Sequence, residues 1–243
     1  DTESDVWTGY VMSGQVTSLY TLSIPNYQLV VNMAGELVET SVDNGDGTFT
    51  YNVPVREGYT WSDGSPITAN DWEFTFDTVK NLSLGGNFLS SYPYSCEDEE
   101  GTAKNCVVSV VASDDYTVSI TFNYDPGLST WQYGTAQGIA FSKAYWEQYA
   151  TDKETLYAHD ATNAPVASAF VYDKLEQGAF YTWKYDANTM WYGGTTTIYD
   201  GGGTSLDWDN GKAPAFSADF GNTTGDSFSY ESGPFVGTVE FTL

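Results

Sequence analysis

One histidine, two cysteines and 33 carboxylates are the groups with chemistry to offer in this 243-residue chain. A nucleophilic triad needs a base held beside its nucleophile. His159 stands in Tyr157-Ala158-His159-Asp160, and no G-x-S-x-G elbow occurs, so His159 reads as a surface-turn histidine. Neither H-E-x-x-H, nor a P-loop, nor a dinucleotide fingerprint is present. Paired-carboxylate hydrolysis is formally open to any acid-rich chain, but no pair here is singled out by its setting. The expectation is no catalytic residue and no enzyme.

Cys96 and Cys106 flank the polar segment 97–105, which includes the acidic run Glu97-Asp98-Glu99-Glu100. There is no C-x-x-C, and a single histidine leaves too few partners for a metal site. The spacing therefore reads as a disulfide closing a short loop, worth about 3 kcal/mol in the chain-entropy model. It implies an oxidising compartment. The acidic turns Asp43-Asn44-Gly45-Asp46-Gly47 and Asp207-Trp208-Asp209-Asn210-Gly211 leave room for calcium. Neither has the register of a calcium loop, and turn geometry alone accounts for Asn, Asp and Gly there, so no cofactor is expected. Asn81-Leu82-Ser83 and Asn222-Thr223-Thr224 are N-x-[ST] sequons, which makes Asn81 and Asn222 glycosylation candidates.

Composition narrows the class. Eight Lys and Arg against 33 Asp and Glu give a formal charge of −25. No basic block exists to neutralise phosphates, which argues against nucleic acid. No apolar run approaches the roughly 20 residues of a transmembrane helix. Hydrophobic residues at 41% and aromatics at 16% suffice for a packed core. The shortage of cations, with Thr, Ser, Gly, Tyr and Asn in their place, has the texture of an extracellular surface protein. It suits high salt, which screens carboxylates, and equally an acidic medium, which protonates them below about pH 4. The start Asp-Thr-Glu-Ser-Asp fits a mature secreted chain.

Several elements can carry these residues. Alternation predicts strands at 6–11, 19–22 and 28–31, and a hairpin about the turn 43–47 that continues through Thr48 to Val55. Thr68 caps a predicted helix with Asp71 in its first turn and Trp72, Phe76 and Val79 on one stripe, ending near Asn81. Strands follow at 107–111 and 116–123, a short helix at 143–150 behind Ser142, and strands at 180–185 and 238–243. The Gly-, Thr- and Ser-rich stretch 193–227 reads as irregular, and no internal repeat occurs. Eight Trp and 19 Tyr read as strand-face packing rather than a sugar or peptide groove. The fold class is α+β, β-rich, with two or three short helices, in one secreted domain spanning 1–243.

The run Val55-Arg56-Glu57-Gly58-Tyr59-Thr60-Trp61-Ser62-Asp63-Gly64-Ser65-Pro66-Ile67-Thr68-Ala69-Asn70-Asp71-Trp72 resembles the signature of the family 5 extracellular solute-binding proteins, the oligopeptide- and dipeptide-binding components of ABC importers. Its structural positions here are Trp61, Ser62, Asp63, Gly64, Pro66, Thr68, Ala69 and Asp71. The hairpin 36–51, the strand pair 108–118 and the turn Asn188-Thr189-Met190-Trp191-Tyr192-Gly193-Gly194 are similar to flanking family features, so the resemblance covers about 36–194. Physically, Trp61 and Pro66 pack a turn, Asp63-Gly64 bend it and Thr68 caps the helix. The pattern is a scaffold signature and names no ligand. Ala167-Ser168-Ala169-Phe170 replaces the family's G-T-G-P-[YF].

The resemblance implies a lobe of a two-lobed protein about twice this length, whose peptide-anchoring residues lie largely in the second lobe. One lobe cannot shut around a ligand. The expectation is therefore a non-enzymatic extracellular or cell-surface subunit that assembles with copies of itself into a filament or surface layer, with segments 1–35 or 228–243 donating strands. The alternative is a peptide- or solute-binding component of an ABC importer.

Overall fold

The computed structural model describes residues 16–23, 27–187, 193–209, 211–233 and 235–242. The strand expected at 6–11 and residues 188–192 of the turn expected at 188–194 lie outside these residues. Short strands β1 (Thr17–Ser18), β2 (Tyr20–Leu22) and β3 (Leu29–Val31) precede the hairpin of β4 (Val42–Asp43) and β5 (Phe49–Pro54). Helices α1 (Ala69–Asn81) and α2 (Asn87–Ser91) lead to the strand pair β6 (Val107–Asp114) and β7 (Thr117–Phe122). Next come α3 (Leu128–Trp131), β8 (Ile139–Ala140), α4 (Lys143–Trp146) and α5 (Lys153–Ala158). Strands β9 (Phe170–Glu176), β10 (Phe180–Tyr185), β11 (Thr195–Tyr199), β12 (Thr204–Trp208), β13 (Phe216–Phe220), β14 (Ser227–Glu231) and β15 (Thr238–Thr242) complete the chain.

The first region is a sheet covered by a helix. Strands β4-β5-β7-β6 form an antiparallel sheet. Alternation puts Tyr51, Val53, Val118, Ile120 and Phe122 on one buried face. Trp72, Phe76 and Val79 recur at helical spacing and bury α1 among these residues. Trp131 comes in from α3, stacks on Tyr51 at 3.7 Å between ring centres, and donates its indole N–H to Val38 O. Each fully buried large side chain contributes about 1.5–3 kcal/mol.

The second region differs from expectation. The stretch expected to be irregular folds into an antiparallel sheet in the order β13-β12-β11-β14. Its strands escape a pattern search because small hydroxyl side chains occupy both faces. Thr196 and Thr204 are buried beside Leu206 and Phe220, so the buried face carries little hydrophobic contrast. Strands β15-β10-β9 form a separate three-stranded sheet. The terminal strand β15 pairs with β10 of its own chain, from Phe180 opposite Thr242 to Lys184 opposite Thr238. The helix expected at 143–150 ends early, α4 giving way to turns after Trp146.

Candidate functional site

The W-S-D-G turn is built from its own backbone and then clamped. Trp61 N–H donates to Ser65 O at 2.8 Å, and Gly64 N–H to Trp61 O at 2.9 Å. Asp63 Oδ1 accepts from Ser65 N–H and from its hydroxyl. Gly64 sits at φ +86°, where a side chain would strain the backbone. Ser62 makes the clamp: its N–H donates to Val166 O, and its hydroxyl accepts from Val166 N–H, both at 2.9 Å. The turn thereby holds the segment that replaces the family's G-T-G-P-[YF]. Trp61 is 1% exposed. Pro66 is exposed, bridged to Thr60, so it does not share the packing role expected of it.

Asp71 is the centre of this arrangement. It is 3% exposed. One carboxylate oxygen accepts from Thr68 N–H at 2.9 Å and from the Trp61 indole N–H at 3.3 Å. The other accepts from Lys143 N–H at 2.8 Å. Burial pushes the Asp71 carboxyl above the usual carboxylate range, and these donors oppose the shift. One residue thus joins the motif turn, the start of α1 and the start of α4. Its place as an acidic first-turn residue is plain in the sequence, but its bond to Lys143, 72 positions away, is not.

α1 also shapes a cleft on its far side. Phe74 lies off the core stripe, half-buried, and faces Phe88 of α2, Phe141, and Trp146 of α4 across a space of about 390 Å³. His159 stands at its edge. It is half-buried rather than a free surface-turn residue, with its ring stacked 3.5 Å from that of Tyr149. The Tyr145 hydroxyl and His159 Nε2 are 2.9 Å apart, and Trp146 meets the imidazole edge-on at 5.4 Å. Three aromatic rings and one hydroxyl hold this imidazole, and the cluster forms part of the cleft wall.

Arg56 joins the two regions. It is 7% exposed, and its guanidinium donates to Asn32 O and to the Tyr59 hydroxyl. It lies 4.3 Å from the Tyr59 ring centre, 5.4 Å from Trp208 and 4.7 Å from Phe216. Burial lowers its pKa from the ordinary value. The guanidinium is weakly hydrated and suits such an aromatic enclosure.

The remaining candidates are dispersed. Cys96 and Cys106 are bonded to each other, with Cα atoms 5.0 Å apart, and Asp98 within their loop accepts from the N–H of Glu100 and Thr102. Asn81 ends α1 and Asn222 lies in the turn after β13; both are exposed. The acidic turns spend their carboxylates on local N–H groups, Asp43 on Gly45, Asp46 on Thr48 and Asp209 on Gly211. Among the described residues no three His, Cys, Asp or Glu side chains gather as metal ligands, and no helix is long and apolar enough to cross a membrane.

A sheet-and-helix lobe with a clamped W-S-D-G turn is a binding-protein scaffold. Residues 32–213 match the model of the bacterial extracellular solute-binding proteins, family 5 Middle, and the chain belongs to that family. This is a family of binding proteins, not enzymes, and its members are extracellular. A 53-residue segment is 36% identical to the oligopeptide-binding protein OppA of Lactococcus lactis subsp. cremoris, covering 22% of this chain and 8% of that protein. The fold is similar to that of DppA from Helicobacter pylori in complex with the peptide STSA, with a TM-score of 0.58, 14% identity, and coverage of 78% of this chain and 37% of that one. It is also similar to peptide-bound Listeria monocytogenes OppA, with a TM-score of 0.54, 18% identity, and coverage of 78% and 36%. The matched part of this chain thus spans little more than a third of those solved chains and less of the curated relative.

These findings overturn the expectation of a filament or surface-layer subunit. The family and the fold are those of solute-binding proteins, and nothing in either supports contacts between copies of this chain or strand donation. Physically, β15 already spends one edge on β10 within its own chain. Chain length fixes how much of a clamshell is present, not what the folded part does.

Proposed function

We propose that this chain is part of the peptide- or solute-binding component of an ABC importer, working on the outer side of the cell membrane. The observation that carries this reading is the family match across 32–213, whose motif forms a complete, hydrogen-bonded scaffold around Trp61 and Asp71. Peptide is the favoured solute class because similar folds were solved with peptides bound. A scaffold of this kind acts by positioning: rigid elements hold a binding face so that less ordering entropy is lost on capture. Native mass spectrometry of the chain with mixed synthetic peptides of about three to ten residues tests it. One-to-one complexes are expected in the micromolar range (about 1–100 μM). Absence of any complex at about 100 μM peptide overturns the reading for this chain.

A further inference from the structure

The cleft beside α1 is held open by polar ties at both ends. On one side, Lys143 N–H donates to Asp71 and Phe141 N–H to the Thr75 hydroxyl at 3.0 Å. On the other, the Lys153 ammonium donates to Ser83 O at 3.0 Å and spans from α5 to the end of α1. Between these ties lie about 390 Å³ bounded chiefly by Phe74, Leu84, Phe88, Phe141, Trp146 and Leu156. A space that served packing alone would be closed by larger side chains, because an apolar void forgoes dispersion contacts. This one is also far larger than the ~150 Å³ engineered apolar cavity that takes up benzene, and it lies within the ~300–1,000 Å³ span of small-molecule sites.

The lining also states the ligand's charge. Among the described residues no Asp, Glu, Lys or Arg lines the cleft, in a chain carrying 33 acidic residues. An ion desolvated among these side chains would meet no opposite charge in the lining; the Lys153 ammonium at the end already donates to Ser83 O. The polar residues of the lining are Thr75, Thr78, Tyr157 and His159, whose ring is held by Tyr149 and Tyr145. Flat walls favour flat ligands, through offset or edge-on ring contacts. We propose that this cleft is a binding site for a small neutral aromatic molecule about two fused rings in size. The proposal goes beyond the peptide reading and does not rest on it.

Fluorescence titration of the full chain with N-phenyl-1-naphthylamine, a neutral probe, tests it. Saturable enhancement at one site per chain is expected, with displacement by indole and a dissociation constant in the micromolar range. Ala150→Phe fills the cleft and should weaken binding about tenfold or more, with an unchanged unfolding midpoint. Should that variant unfold, Phe74→Ser removes a wall from the half-exposed side of α1 and should weaken binding about fivefold. The tripeptide Ala-Trp-Ala should not compete where indole does. Displacement by the tripeptide as effective as by indole overturns the assignment to a free small molecule. Enhancement that does not saturate, or that neither variant changes, overturns the site itself.

Discussion

The region around α1 and the region of β9 to β15 reach stability by different routes. In the first, Trp61, Trp72, Phe76 and Phe122 are almost completely enclosed, and a buried carboxylate ties three segments together. In the second, β14 is exposed along its whole length and β9 over most of its length; Leu206 and Phe220 are buried in the core of the first region, and Trp183 is buried apart from it. The first is a core with a surface; the second is two sheets, one of them anchored in that core through Leu206 and Phe220. Arg56 is a further anchor, since its guanidinium faces Trp208 and Phe216 from the first region, and the Tyr59 hydroxyl donates to Pro214 O beside it. Scaffold strength and exposed surface are thus divided between two parts of one chain, which suits a protein that must be rigid where it holds shape and open where it meets something else.

The contrast can be broken at its strongest point first. Trp72→Ala leaves a large cavity under α1 and should cost about 4 kcal/mol, read by urea unfolding. Trp183→Ala removes a ring of the same size from the second region. Hydrogen exchange should then accelerate in β9, β10 and β15 while α1 keeps its protection. Equal loosening of α1 in that variant would show that the two regions unfold as one unit.

The next effect sharpens the role of the buried carboxylate. Asp71→Ala strands the donors of Thr68, Trp61 and Lys143 and should cost about 3 kcal/mol. Asp71→Asn keeps one acceptor oxygen and should cost about half of that. The two also differ in pH dependence. The folded pKa of Asp71 is raised, so its contribution is fully present below the unfolded value and is lost as pH rises through the folded one. The stability advantage of the natural chain over Asp71→Asn should therefore shrink as pH climbs from about 3.5 to 7. An advantage that grows over that interval would refute the assignment of burial as the dominant cause.

The smallest effect is expected at the thin edge. Phe228 and Tyr230 stack on each other on β14 and are exposed. Phe228→Ser should change unfolding free energy by less than about 0.5 kcal/mol, whereas Leu206→Ala, on the same face of the sheet but two strands further in, should cost about 2 kcal/mol or more. Similar losses from both would mean that the β14 side chains are packed and not exposed.

Much of the first region was legible in the sequence because its signals are local. The β4–β5 hairpin has an Asp-Asn-Gly-Asp-Gly turn followed by strict alternation, and α1 has its start at Thr68 and its stripe of Trp72, Phe76 and Val79. The W-S-D-G run led directly to the family. The second region was not legible. Thr195–Tyr199 and Thr204–Trp208 are strands because they pair with each other and with β13 and β14, and their mixed polar composition shows no period of its own. The cleft was invisible for a related reason. Phe74 looks like a stray apolar residue until α2 and the 141–161 segment fold over it.

By itself, then, the amino-acid order determined the hairpin, the helix with its cap, the scaffold motif and the absence of familiar catalytic patterns, since each depends on residues within a few positions of one another. Only the tertiary structure decided that Asp71 would meet Lys143, that Ser62 would clamp Val166, that the last strand would serve its own sheet, and that an uncharged aromatic space would stand open beside α1. Those outcomes come from segments far apart in the chain, where burial and hydrogen-bond satisfaction across the whole molecule, and not local preference, select the arrangement.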